Sequence, residues 1–323
     1  MIQHHFVRLA VLALALLAAP AAQSAGYPEK PVRIVVPYAP GGASDILARV
    51  LSQKLSESLG QQMVVDNKPG AGGTIGADIV AKAAPDGYTL MLADVAVQTI
   101  GPTLYPKLPY ARSDLAPVIN LATFAHVLIT APNSPLTSFG DLLKKEKSKP
   151  GSTSVASSGN GTSTHLTAEM VNSAAGIKLN HVPYKGGGAA LTDVMGGQVD
   201  VMFIGSPPAM PLLQSGKLRA IAVTTSTRMQ ALPAVPTVAE SGLPGFESIA
   251  AQGVFAPNGT PREIIAKLNT EIARIIQLPD VRVRWAQLGA EPVDNTPAQF
   301  AKWLDSEAIK WGKVVKDSGA KPD

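Results

Sequence analysis

The 323-residue chain contains no cysteine. That excludes disulfides, thiolate metal sites, a cysteine nucleophile and a lipid-modified N-terminal cysteine together. Charge is sparse, at 16% Asp, Glu, Lys and Arg, and the longest basic run is the pair Lys144-Lys145. A net charge of +4 scattered so thinly gives no footprint for a nucleic acid. Beyond the first two dozen residues no stretch reaches about 18 uninterrupted apolar residues, so the mature chain is expected to be soluble. Histidine is scarce too: past the N-terminus only His126, His165 and His181 occur, far apart in sequence. There is no His-Glu-x-x-His, no Gly-x-Ser-x-Gly elbow and no Walker A loop. Ser44, His165 and Asp94 make a Ser-His-Asp set on paper, but no motif ties them together, and ordinary loop residues are the expected reading. Neither a catalytic residue, a metal nor a cofactor is expected.

What is present begins with an export signal. Arg8 and two histidines precede "LAVLALALLAA", a run too short to span a membrane, and "AQS" at 22–24 satisfies the small-x-small cleavage rule. Residues 1–25 are therefore expected to be a secretory signal peptide. An exported chain without disulfides fits the periplasm, with no lipid anchor. The remaining length and a 46% hydrophobic content suffice for two domains, each with a core.

Strand and helix signals then alternate. "KPVRIVVPY" is rich in β-branched residues and reads as a buried strand. After it, Ile46, Leu47, Val50, Leu51, Leu55 and Leu59 recur at helical spacing, and Gly60 stops the run. "QMVVDN", "TLMLAD", "HVLITAPNSP", "STSVASS", "LNHVPY", "QVDVMFIG" and "LRAIAVTT" read as further strands with helical segments between them. This pattern predicts a parallel sheet with helices on its faces. Ser138 with Asp141, Thr260 with Glu263, and Thr296 with Gln299 have capping-box spacing. "LITAPNSP" and "GVFAPNGTP" echo each other around Ala131 and Ala256, as two crossings between lobes would.

Three strand-to-helix loops look like receivers for a small anion, because helix starts present free N–H groups. They are 38–45, "YAPGGASD"; 157–165, "SSGNGTSTH"; and 184–188, "YKGGG". A fourth loop, Gly70-Ala71-Gly72-Gly73-Thr74-Ile75-Gly76, imitates a dinucleotide fingerprint, with Asp94 where a ribose-binding acid belongs. Ile75 holds the third glycine's place, however, so a structural turn is the expected reading. Three anion loops with no catalytic base beside them favour binding over chemistry.

The stretches "YPEKPVRIVVPYAPGGASDILAR", "VVDNKPGAGGTIGADIVAKAAPDGYTLMLA", "ASSGNGTSTHLTAEM", "HVPYKGGGAALTDVMGGQVDVMF", "LPAVPTVAESGLPGF" and "APNGTP" resemble the Bug family. These are solute-binding proteins of tripartite tricarboxylate transporters. The resemblance runs from Tyr27 to the end. It implies an α/β type II periplasmic-binding-protein fold, two lobes joined by two crossovers, with a ligand closed in the cleft. Lobe one would be 27–122 plus 250–323, and lobe two 123–249. In such relatives the first Gly-Gly loop and the "GNGT" loop grip one carboxylate. Carried over, Gly41, Gly42, Ala43, Ser44 and Asp45 would face Ser158, Gly159, Asn160, Gly161, Thr162 and His165. Tyr38 would wall the pocket and Tyr184 would belong to the third loop. Ala93, Asp94, Ile204, Gly205 and Ser206 would meet the ligand's far end. Many relatives carry Asp-Asn after "MF", where this chain has Ile204-Gly205, so a more apolar tail is expected. The implied role is delivery of a small organic carboxylate, by a monomer, to a permease with one large and one small subunit. A sensor docking on a signalling receptor is the alternative reading, and an enzyme acting on a small carboxylate the third.

Overall fold

The structure is a computed structural model and describes residues 26–322. The expected signal peptide lies outside the described residues. Among them no helix is long and apolar enough to cross a membrane.

The chain opens with β1 (Val32–Val36), α1 (Ala43–Leu59), β2 (Met63–Asn67), α2 (Thr74–Ala81) and β3 (Thr89–Asp94). β1 pairs in parallel with both β2 and β3, as right-handed strand–helix–strand units require. α1 buries Leu47, Leu51 and Leu55 against this sheet, and Gly60 ends it in the left-handed region that glycine adopts without strain. Two short helices, α3 (Ala96–Thr99) and α4 (Gly101–Leu104), lead to β4 (Leu115–Thr130).

β4 organises the molecule. Its first part pairs antiparallel with β9 (Ile249–Pro257), and its last five residues pair antiparallel with β7 (Val201–Gly205). It begins at Leu115, well before "HVLITAPNSP". The earlier part was illegible because Pro117 and Asn120 interrupt it, and both sit at register shifts against β9. Between the two passes of the chain lie α5 (Phe139–Ser148), β5 (Ser154–Ser157), α6 (Ser163–Ala175), β6 (Asn180–Pro183) and α7 (Gly187–Met195). After β7 come α8 (Ser206–Gln214) and β8 (Arg219–Val223). β5 pairs in parallel with β6 and β7, so each half is parallel, as the alternation predicts, while the crossing strands run antiparallel. The tail adds α9 (Arg262–Ile276), α10 (Pro279–Gln287), β10 (Ala290–Pro292) and α11 (Pro297–Ser318).

The result is two α/β lobes sharing two crossing strands. One core gathers Ile34, Leu47, Leu92, Phe255 and Trp285; separate cores around Phe203 and Met202 serve the other lobe. A fourth cluster joins Ile100 and Leu104 to Leu166 of α6 and Trp311 of α11. The C-terminal helix thus packs on both lobes.

Two capping expectations need correction. Ser138 does cap α5, accepting from the Asp141 amide at 3.1 Å, but the Asp141 carboxylate turns to Thr137 instead of closing the box. Thr260 caps nothing: its hydroxyl donates to the Pro257 carbonyl at 2.8 Å, and Pro261 occupies the N-cap of α9. The Thr296–Gln299 box closes in both directions.

Candidate functional site

The carboxyl ends of the strands meet the opposite lobe, and a small cavity of about 40 Å³ is trapped there. From the first lobe it is lined by Tyr38, by Gly42, Ala43 and Ser44 at the start of α1, and by Asp94 and Gln252 at paired positions of β3 and β9. Ser158, Thr162, Ser163, Thr164, Gly187, Ile204 and Gly205 line it from the second lobe, with Phe124 and His126 from the crossing strand. A larger hollow of about 480 Å³, between α6 and α11, opens to solvent on the outside. The cleft cavity is the better candidate, since α1, α6 and α7 all start on it.

The first loop performs as expected, with different individual roles. The Asp45 carboxylate does not face the cavity. It accepts from the Gly41 amide at 3.0 Å and pairs with Arg49 at 2.9 Å. Burial pushes Asp45 up, but the bonds from Arg49 and Gly41 outweigh it and hold the group below its ordinary range. Gly41 takes φ +86°, which a glycine adopts freely. Gly42 has φ −85°, so no backbone strain demands glycine there. A Cβ at Gly42 would stand 3.7 Å from its nearest neighbour, an ordinary contact. Ala43 and Ser44 line the cavity at the start of α1, and among the described residues their amides have no protein acceptor. The Ser44 hydroxyl donates to Gln252 Oε1 at 2.6 Å. Beside them the Tyr38 hydroxyl is buried without a hydrogen-bond partner.

The "GNGT" loop departs from expectation. Its amides are mostly used inside the protein: Ser158 donates to Thr164 Oγ1, Gly159 to Ser157 Oγ, Gly161 to His165 Nδ1, and Thr162 to the Gly159 carbonyl. Gly161 packs on Leu104 and Tyr105 of the first lobe, and the Asn160 carbonyl accepts from Tyr105 Oη at 3.1 Å. His165 turns away from the cavity. Its ring stacks on His181 at 4.1 Å, and burial, then the neighbouring His181, push its pKa down to about 3. The paper triad therefore does not assemble: Ser44 bonds Gln252, His165 bonds Gly161, and Asp94 bonds Ser163.

The third loop is a closure contact. Ala39 donates its amide to the Lys185 carbonyl, 3.2 Å across the cleft. A Cβ at Gly188 would lie 2.5 Å from the Pro40 carbonyl, and one at Gly186 would lie 2.9 Å from the Ala39 nitrogen. These glycines let the two loop backbones touch; only Gly187 reaches the cavity. Tyr184 instead donates to Asp193 at 2.5 Å and lines a neighbouring hollow with Gly159 and the turn at 70–73. That turn holds positive φ at all four residues and folds back on itself.

At the far end, Ile204 and Gly205 do line the cavity, with the Phe124 ring lying where a Gly205 side chain would be. Ala93 is packed in the first-lobe core, and the Ser206 hydroxyl donates to the Gly289 carbonyl at 2.9 Å, away from the cavity. Of the cavity residues, Phe124, His126 and Gln252 lie outside the loops singled out in sequence, whereas Ser163, Thr164 and Gly187 fall within them. Gln252 became a neighbour through its register with Asp94, which only the folded sheet reveals. Ser163 and Thr164 directly follow Thr162, which also lines the cavity.

A two-lobed α/β fold with crossing strands and a closed interlobe cavity defines the chain as a binding protein of the periplasmic type. Residues 47–320 match the model of the tripartite tricarboxylate transporter family receptor, TctC. BugT of Bordetella pertussis is 40% identical over 312 residues, 96% of this chain and 95% of that one. Rpa4515 of R. palustris, solved with adipate, superposes with TM-score 0.89 at 35% identity, over 92% of this chain and all of that one. MatC of Rhodopseudomonas palustris, solved with malate, gives TM-score 0.85 at 35% identity over 90% and 100%. The chain belongs to the TctC family, whose members are periplasmic solute-binding proteins and not enzymes.

Proposed function

We propose that this protein captures a small organic carboxylate between its lobes and delivers it to a tripartite tricarboxylate-type permease with one large and one small membrane subunit. The observation that carries the ligand class is the start of α1. There Ala43 and Ser44, whose amides have no protein acceptor, line the cavity beside the partnerless Tyr38 hydroxyl. Free helix-start amides favour an anion by charge and by hydrogen bonding. Gly42, which tolerates a Cβ sterically, is then glycine to let the carboxylate approach the backbone. The adipate and malate seen in relatives support the same class.

The ligand's other end meets Phe124 and Ile204, which offer nothing to an ammonium or hydroxyl, while Asp94, which also lines the cavity, is already engaged by the Ala96 amide and the Ser163 hydroxyl. A buried donor left unpaired there would cost about 1–3 kcal/mol. Aliphatic or aromatic acids should therefore outcompete amino acids such as aspartate. The working unit is a monomer with lobes at 27–122 plus 250–323 and at 123–249, exported to the periplasm by residues 1–25.

The test is to purify the protein, denature it and identify released small molecules by mass spectrometry. A carboxylic acid recovered in stoichiometric amount supports the reading; a released ligand with no acidic group would overturn it.

A further inference from the structure

Asp94 ends β3 of the first lobe and is only 8% exposed. Its carboxylate crosses the cleft to the first residue of α6 in the second lobe. One oxygen accepts from the Ala96 amide at 2.9 Å, and the other accepts from the Ser163 hydroxyl. Ser163 is the first helical residue of α6. Behind Ser163, His126 Nε2 lies 3.1 Å from the same hydroxyl. Asp94, Ser163 and His126 all line the cavity.

The start of α6 is thus already filled by an anion that belongs to the protein. The Ser163 hydroxyl is held by Asp94, and the His165 amide leans on the Thr162 hydroxyl. A ligand carboxylate cannot use the same position without displacing Asp94. It would also stand beside the buried Asp94 carboxyl, which burial pushes up in pKa against the bonds from Ser163 and Ala96, and no Lys or Arg among the described residues lines the cavity to offset a second negative charge. The start of α1 remains open to an anion, and Gly187 at the start of α7 lies beside it rather than at a second, separate seat.

We propose that Asp94 sets the charge selectivity of the site, restricting it to acids with one carboxylate and rejecting the matching diacids. This rests on the carboxylate reading above. It also separates this chain from relatives solved with the diacids adipate and malate.

The experiment is titration calorimetry on the wild type and Asp94→Asn with matched pairs of equal chain length: butanoate against butanedioate, and hexanoate against hexanedioate. The wild type should prefer the monoacid of a pair by at least tenfold. In Asp94→Asn, whose amide oxygen still accepts from Ser163, that preference should shrink at least tenfold through tighter diacid binding. Should Asp94→Asn not fold, as judged by its melting curve, Asp94→Ser makes the same comparison. A wild type that binds diacids as tightly as monoacids overturns the role of Asp94 while leaving the carboxylate reading intact. An unchanged preference in the variants does the same. If no acid of either kind binds either protein, the carboxylate reading falls, and the selectivity proposal falls with it.

Discussion

Gly188 separates closure from folding. In the closed arrangement a Cβ at this position would lie 2.5 Å from the Pro40 carbonyl oxygen and 3.6 Å from Gly41 Cα, both across the cleft. Backbone cannot swing aside as a flexible side chain would, so the lobes of Gly188→Ala must part by the order of 1 Å to relieve the overlap. Overpacking of this kind costs about 1–3 kcal/mol, which is roughly a 5- to 150-fold loss of ligand affinity. The open arrangement pays nothing. Gly188 lies in the first turn of α7, where alanine is the better helix former by up to about 1 kcal/mol. The ligand-free variant should therefore melt at or slightly above the wild-type temperature. Calorimetry with the released native ligand reads the affinity, and small-angle scattering reads closure: the wild-type radius of gyration should shrink on saturation, and the variant's should shrink less. Affinity within twofold of wild type would refute the closure contact. A large drop in ligand-free melting temperature would show that Gly188 serves the fold instead.

Gly42→Val should abolish ligand binding while the ligand-free melting temperature falls only slightly, because a Cβ meets its nearest neighbour at 3.7 Å; strong unfolding with normal residual affinity would favour a turn role. Acid should destabilise the protein through His126 and His165, whose pKa values burial pushes down to about 4 and about 3. Both fall below the ordinary value near 6.5, so their contribution is fully present above that pH and is lost as pH falls toward 4, by at most about 1.4 kcal/mol per unit for each. Urea unfolding at pH 7 and pH 5 should show this slope, shallower in His165→Gln; an equal slope in the variant would contradict it.

The sequence carried the strand–helix alternation because apolar periodicity is local, and α1 with its Gly60 stop was legible for that reason. The start of α1 was legible too, since "PGG" before a helix has few uses. The "GNGT" and "KGGG" loops were misread for one shared reason. A glycine next to a helix start looks the same whether a ligand or another backbone approaches it, and here Ala39, Pro40 and Tyr105 supply the approach. His165 was read as a ligand contact because its stacking partner, His181, comes from a neighbouring strand. The start of α6 was read as a seat for the ligand's carboxylate. That its occupant is Asp94 depends on the lobes closing, which no local pattern encodes.

The central claim is that a charged carboxylate binds at the start of α1. The most direct measurement is calorimetry of the released acid beside its methyl ester, which keeps the shape and loses the charge. The acid should bind with a Kd of roughly 0.1–10 µM, and the ester should show no heat of binding. An ester that binds as tightly as its acid would contradict the claim.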